Sequence, residues 1–103
     1  MKFETTPAFD SDYQRLNPEH RRAFRLVVKE GFGPACNAIA ADPSAPWPAA
    51  LRVKSVRNAA GVLEMTWSFA GPDGRATFEL VTVNDDLRCR WRRIGDHTVF
   101  KRP

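Results

Sequence analysis

Val62-Leu63-Glu64-Met65-Thr66-Trp67-Ser68-Phe69 decides the fold class, because its residues alternate in polarity almost without a break. Successive side chains of an extended chain point to opposite faces. Leu63, Met65, Trp67 and Phe69 therefore share one side, and Val62, Glu64, Thr66 and Ser68 the other. Such a period-two run reads as a half-buried strand. Gly71-Pro72-Asp73-Gly74 turns the chain. Residues 75–83 then repeat the pattern, with Ala76, Phe78 and Leu80 inward and Arg75, Thr77 and Glu79 outward. After a second turn at Asn84-Asp85-Asp86, a last strand carries Leu87, Cys89 and Trp91 on its apolar face and Arg88, Arg90 and Arg92 on the other. Working backward, residues 51–56 alternate too, with Leu51 and Val53 inward and Arg52 and Lys54 outward, and 58–61 can turn the chain. Four strands joined by turns predict an antiparallel meander.

The first half of the chain follows a different period. Residues 2–6 read as a short edge strand ended by Pro7. Phe9, Tyr13 and Leu16 then fall at spacings of four and three, which predicts a helix over 7–16. Asn17-Pro18-Glu19 starts a second helix: Asn17 can accept from an orphan N–H, Pro18 suits the first helical position, and Glu19 favours the positive dipole end. Phe24, Val27 and Val28 form its apolar stripe. Gly31-Phe32-Gly33-Pro34 is expected to stop or kink it, and 35–41 can form a further helical segment. Residues 42–48 make a proline-rich loop in which Trp47 covers the edge of the core. Helices that precede such a meander must cover one of its faces, so the expected fold is α+β, in one domain spanning 1–103.

A 43% hydrophobic and 27% charged composition is that of a globular chain. No apolar run approaches the roughly 20 residues needed to cross a bilayer, and the amino terminus lacks the apolar core of a signal peptide. A cytoplasmic protein without a membrane partner is the expectation. Cys36 and Cys89 form no CxxC pair and are expected to be reduced, with Cys89 in the core. The net charge of +4 is unevenly spread: up to Ala50 acids and bases balance, and the whole excess falls from Leu51 onward. That asymmetry points to a polyanionic partner on the strand half.

The outward faces of the strands supply Arg52, Lys54, Arg75, Arg88, Arg90 and Arg92. As neighbours they would form a cationic surface for phosphates. Trp47 and Phe100 can stack on bases, whereas Trp67 and Trp91 sit in the apolar alternation and read as core. Cleaving RNA without a metal requires a base for the ribose 2′-OH, an acid for the leaving 5′-oxygen, and cations around the phosphorus. His97 can move a proton, and Arg75 and Arg90 can hold the phosphate. Glu64 is a candidate base, with a cross-strand pairing to Arg75 or Lys54 as its alternative role. His20, beside Arg21 and Arg22, reads as an exposed helix residue. The histidines lie far apart, so no metal site is expected, and neither a phosphate-binding glycine loop nor a nucleophile elbow is present.

The order of an edge strand at Phe3, two helices, Leu51-Arg52-Val53-Lys54, Val62-Leu63-Glu64-Met65-Thr66-Trp67, Asp73-Gly74-Arg75-Ala76-Thr77-Phe78 and Arg92-Arg93-Ile94-Gly95-Asp96-His97-Thr98-Val99-Phe100 resembles the RelE/ParE superfamily of toxin–antitoxin toxins. The resemblance spans nearly the whole chain, and the Gly-x-His tail is its most specific part. It implies a small α+β domain with two amino-terminal helices packed on a curved, mainly antiparallel sheet of four to five strands, a cognate antitoxin as partner, and no metal or small-molecule cofactor. RelE-like members cleave messenger RNA in the ribosomal A site, whereas ParE-like members inhibit DNA gyrase. The family's phosphate-contacting arginine matches Arg75, and its tail histidine and aromatic match His97 and Phe100. Glu64 and Thr66 stand where RelE-like members carry lysines, and Phe100 stands where they carry a tyrosine, leaving proton transfer to His97 and Glu64. The resulting expectation is an mRNA endonuclease toxin associated with the ribosome. In it His97, Arg75, Arg90 and Glu64 are catalytic, and Arg52, Lys54, Arg88, Arg92 and Phe100 bind RNA. A non-catalytic gyrase inhibitor and a non-toxic binding module of the same fold are the alternatives.

Overall fold

The computed structural model describes residues 1–68, 73–96 and 102–103. Strand β1 (Lys2–Thr5) leads into helix α1 (Pro7–Arg15) and helix α2 (Pro18–Val27). A π-helical turn over Val28–Phe32 joins α2 to α3 (Gly33–Ala41), and a 3₁₀ turn (Ala49–Leu51) precedes strands β2 (Lys54–Ser55), β3 (Leu63–Ser68), β4 (Asp73–Val83) and β5 (Asp86–Gly95). The sheet is mixed and open, in the order β1-β5-β4-β3-β2. β2 to β5 form the expected antiparallel meander, and β1 runs parallel to β5 at the edge. The α+β class and its helices-before-meander order are as the sequence predicts.

Both expected helix starts are present. Thr6 accepts from the Phe9 N–H and Asn17 from the His20 N–H, each followed by a proline in the first turn. The Thr6 hydroxyl also donates to the Arg92 carbonyl at 2.7 Å, which ties the start of α1 to β5. β4 and β5 are joined through Asn84 and Asp85, whose φ values of 52° and 66° are both left-handed, as a tight hairpin requires.

The glycine-proline run does not end the helix. The Gly33 N–H reaches back five residues to the Val28 carbonyl, and the chain continues into α3. The extra residue of a π turn has a packing consequence. In an unbroken α-helix Phe32 would lie roughly 80° round from Phe24, at about 100° per residue; one inserted residue brings it back to within about 20°. Phe32 thus faces the sheet and is fully buried. Its ring lies 4.7 Å from Trp91, 5.0 Å from Phe78 and 5.5 Å from Trp47. Gly33 suits the same turn, because a Cβ there would stand 3.0 Å from the Val28 carbonyl oxygen, closer than side chains ordinarily approach.

The core is aromatic, with Phe9, Phe24, Trp67, Phe78 and Trp91 packed around Phe32 and with Met65, Cys36 and Cys89 filling the gaps. Trp67, Trp91 and Cys89 are buried as their strand positions predict, and both cysteines are free. The strand expected over 51–56 shrinks to two residues. Leu51 ends the 3₁₀ turn, and Arg52 takes a left-handed conformation at φ 49°, so the alternation read there is interrupted. Among the described residues no helix is long and apolar enough to cross a membrane.

Removing the central ring should be costly: Phe32→Ala is expected to lower stability by about 3–5 kcal/mol in urea unfolding. Burial pushes the Cys36 thiol up from 9.0 to about 12 and the Cys89 thiol higher still. A thiol raised in the folded state stabilises fully below its unfolded value and less as pH climbs toward the folded one. Stability should therefore fall between about pH 9 and 12, and native protein at pH 8 should resist a thiol reagent that labels both cysteines in urea.

Candidate nucleic-acid interface

The outward face of the sheet is built by strand register. Lys54 of β2 lies opposite Glu64 of β3, Glu64 opposite Thr77 of β4, and Thr66 opposite Arg75. Glu79 of β4 lies opposite Arg90 of β5, which lies beside Glu4 of β1. The candidate site residues of four strands therefore share one surface.

Glu64 is the surprise of that surface. It stands on the predicted side of β3 yet is only 1% exposed. Lys54 Nζ approaches its Oε1 at 3.4 Å and Arg75 Nη1 at 3.6 Å. The cross-strand pairing expected from the alternation is thus present with both cations. Neither approach is a hydrogen bond, and Oε1 is buried without a hydrogen-bond donor. Thr66 and Thr77 are buried too, so this stretch of β3 and β4 is covered on both faces. Part of the cover is Pro103, whose backbone oxygen accepts from the Thr77 hydroxyl at 2.9 Å. Arg75 also donates to the Thr66 hydroxyl at 3.4 Å.

Beside this cluster a shallow recess of about 280 Å³ is lined by Lys54, Ser55, Arg57 and Glu64. Arg57 is a basic residue that period-two reasoning does not single out, because it follows β2 in the hairpin. Only the Lys54–Glu64 register brings it to the site. Lys54 and Arg57 outnumber Glu64 along its wall, and Arg75 approaches the same carboxylate from β4, which leaves the recess cationic and suited to an anion next to a hydrogen-bond donor.

The arginine strand is more neutralised than its sequence suggests. Arg90 hydrogen-bonds to Glu4 at 2.9 Å and to Glu79 at 3.1 Å. These bonds, that from Glu4 first, hold its guanidinium above the usual arginine range. Arg92 Nη1 lies 3.4 Å from Glu79. Arg52 pairs with Asp73 at 3.3 Å, away from Glu64. Arg88 lies further along the same face, opposite Val81, with its Nε buried and without a hydrogen-bond partner. His97 and Phe100 lie outside the described residues. The structure therefore brings Lys54, Glu64 and Arg75 together, adds Arg57, and sets Arg90 and Arg92 among carboxylates. Among the described residues no three His, Cys, Asp or Glu side chains converge as a metal cage would.

Comparison of the sequence with models of known families and with curated proteins finds no match. Comparison of the structure does. It is similar to a "YoeB/ParE toxin from Agrobacterium tumefaciens" with a TM-score of 0.54, covering 94% of this chain and 99% of that one at 14% identity. The fold is that of a RelE/ParE-type toxin. At that identity the likeness concerns the path of the backbone, and the site has to be argued from this chain's own residues. The antiparallel pairing of β3 with β4 is what sets Glu64 and Arg75 on adjacent strands.

A second buried carboxylate holds the far end of this surface. Asp12 of α1 accepts from Arg93 Nε and Nη2 and from the Ile94 N–H at 3.2 Å, supplying β5 with an acceptor where β1 has ended. The hydrogen bond to Asp12 holds Arg93 above the usual arginine range. Asp12→Asn is expected to cost roughly 1–3 kcal/mol in urea unfolding. Glu4→Gln, at a half-exposed pair, should cost under about 1 kcal/mol.

Proposed function

We propose that this protein is the toxin of a toxin–antitoxin pair and acts as a metal-independent mRNA endonuclease, working in the cytoplasm on ribosome-associated messages. The observation that carries the reading is the buried Glu64 Oε1, which has no hydrogen-bond donor and lies in a recess whose other charges are cationic. A ribonucleotide offers the complement: a hydroxyl to donate to Glu64 and, next to it, a phosphate for Lys54, Arg57 and Arg75. A deoxyribonucleotide lacks the hydroxyl and leaves the buried oxygen unsatisfied, at a cost that favours RNA.

In this mechanism Glu64 accepts the proton of the ribose 2′-OH as the 2′-oxygen attacks the adjacent phosphorus. The bond to the 5′-oxygen breaks, leaving a 2′,3′-cyclic phosphate, and the departing oxygen takes a proton from His97. Arg75 and Lys54 balance the charge that grows on the phosphoryl oxygens, a contribution that commonly reaches 10²–10³ in rate. Phe100 stacks on a base, while Arg88, Arg92 and Arg52 follow the backbone. Arg90, engaged by Glu4 and Glu79, acts by ordering the strand more than by meeting the scissile phosphate. The antitoxin covers this outward face.

The same engagement of Arg90 and Arg92 by carboxylates favours one second reading, a ParE-like gyrase inhibitor that needs no open phosphate track. Purified protein incubated with free mRNA in EDTA and with mRNA on ribosomes, beside a gyrase supercoiling reaction, separates the two. We expect cleavage to 2′,3′-cyclic ends, reduced at least about 100-fold by Arg75→Ala and by Glu64→Gln, with supercoiling unaffected. Intact RNA together with blocked supercoiling would replace the nuclease by the gyrase inhibitor.

A further inference from the structure

The first half of the chain is neutral by count, yet folding does not leave it neutral. Glu4 and Asp12 are engaged by Arg90 and Arg93 of β5, so their charge serves the strand half. The cations they balance in the sequence remain on α2. Arg21, Arg22 and Arg25 stand on that helix, and Lys29 on the π turn that prolongs it. Among the described residues no carboxylate pairs with any of the four. Arg25 donates instead to the Tyr13 hydroxyl at 2.9 Å, which ties α1 to this side of α2.

At about 100° per residue the four cations fall within an arc of roughly 100°. Glu19 and Glu30 lie roughly 100° round from its centre, so the charges of the helix are sorted and not interleaved. Arg21, Arg25 and Lys29 follow one another at intervals of four, the spacing at which like charges repel along a helix. The arc looks away from the sheet, because Phe24, on the other side of α2, lies 5.1 Å from both Trp67 and Trp91. Arg22, Arg25 and Lys29 are exposed, and Leu26 beside them is 51% exposed. One leucine offers less apolar surface than the centre of a protein interface buries, whereas cations aligned along a helix are the footprint of a phosphate backbone. The face around Glu64 lies on the opposite side of a molecule whose shortest Cα extent is 22 Å. A strand seated there would have to round the protein to reach α2.

We infer that the face formed by Arg22, Arg25 and Lys29 docks on the phosphate backbone of double-helical RNA. An RNA duplex is recognised chiefly by its shape, phosphates and 2′-hydroxyls, which a rigid row of cations can follow. A single strand calls for stacking platforms, and none of Arg22, Arg25, Leu26 and Lys29 is aromatic. The inference deepens the reading of ribosome-associated messages and rests on it for the source of the duplex: the sheet face takes the strand that is cut, and α2 takes folded RNA beside it.

The test compares the full chain with Arg22→Gln/Arg25→Gln/Lys29→Gln, in which glutamine keeps the helix propensity and removes three charges. In the first arm a short blunt RNA duplex is bound at several salt concentrations. The triple variant is expected to lower the slope of log K against log salt by about 2–3, roughly 0.9 for each of three phosphates on a double helix. Arg22→Lys/Arg25→Lys should keep the original slope, and so should Arg75→Ala on the other face. No duplex binding, or an unchanged slope in the triple variant, overturns the docking face. A DNA duplex or a polyglutamate of equal charge bound more tightly than the RNA would overturn RNA as the occupant. In the second arm cleavage is followed on free mRNA and on mRNA carried by ribosomes. The triple variant is expected to match the original rate on free mRNA and to fall at least about 10-fold on ribosomes; equal rates of the two proteins on ribosomes overturn the part given to α2. If neither protein cuts any RNA, the endonuclease reading fails, and the duplex titration still decides whether α2 docks RNA.

Discussion

A single extra residue in β5 shapes much of this protein. Phe78 lies opposite Trp91 and Thr77 opposite Arg93, so Arg92 has no opposite partner on β4. Without that bulge, strict alternation from Cys89 and Trp91 would carry Arg93 into the aromatic core and Ile94 out of it. With it, Trp91 and Ile94 both face inward and Arg93 reaches Asp12. β-Bulges bend and twist the strand that carries them. Here the shift falls where β1 has ended, and Asp12 and the Thr6 hydroxyl supply the hydrogen bonds that a continuing strand would have made.

The outward face owes its character to carboxylates more than to arginines. Glu4 and Glu79 hold Arg90 and Arg92 in place, and exposed pairs of that kind contribute little to stability. Glu64 is different because it is buried. A carboxylate withdrawn from water needs compensation. Lys54 and Arg75 provide it through charge while leaving Oε1 without a hydrogen-bond donor. That unsatisfied acceptor beside two cations is the feature on which the proposed function rests.

Much of the fold was legible in the sequence. The alternation of Leu63, Met65 and Trp67 placed β3, Asn17-Pro18 placed the start of α2, and Asn84-Asp85 placed the last hairpin. The π turn at Phe32 was not legible, because glycine and proline mark a break without saying that one inserted residue can heal it. The two-residue β2 was missed for a related reason: Arg52 takes a left-handed conformation that its residue type does not announce. At the site, register from all five strands was needed to show that Glu64 is covered, that Arg57 joins Lys54, and that Arg90 is bracketed by Glu4 and Glu79. Charge counting saw a row of arginines and could not see their partners. The Asp12–Arg93 contact, separated by 81 positions in the chain, had no local signature.

The central claim is that the outward sheet face around Glu64 is where a ribonucleotide strand binds. Amide chemical-shift mapping of the His97→Ala protein with an RNA that keeps its 2′-hydroxyls tests it most directly. The account predicts shifts centred on Lys54, Glu64, Thr66 and Arg75 and extending to Arg52 and to Arg88 and Arg92 of β5, weakening as salt is raised. Shifts on α2 and α3 with the sheet face silent, or no shifts at low salt, would contradict it.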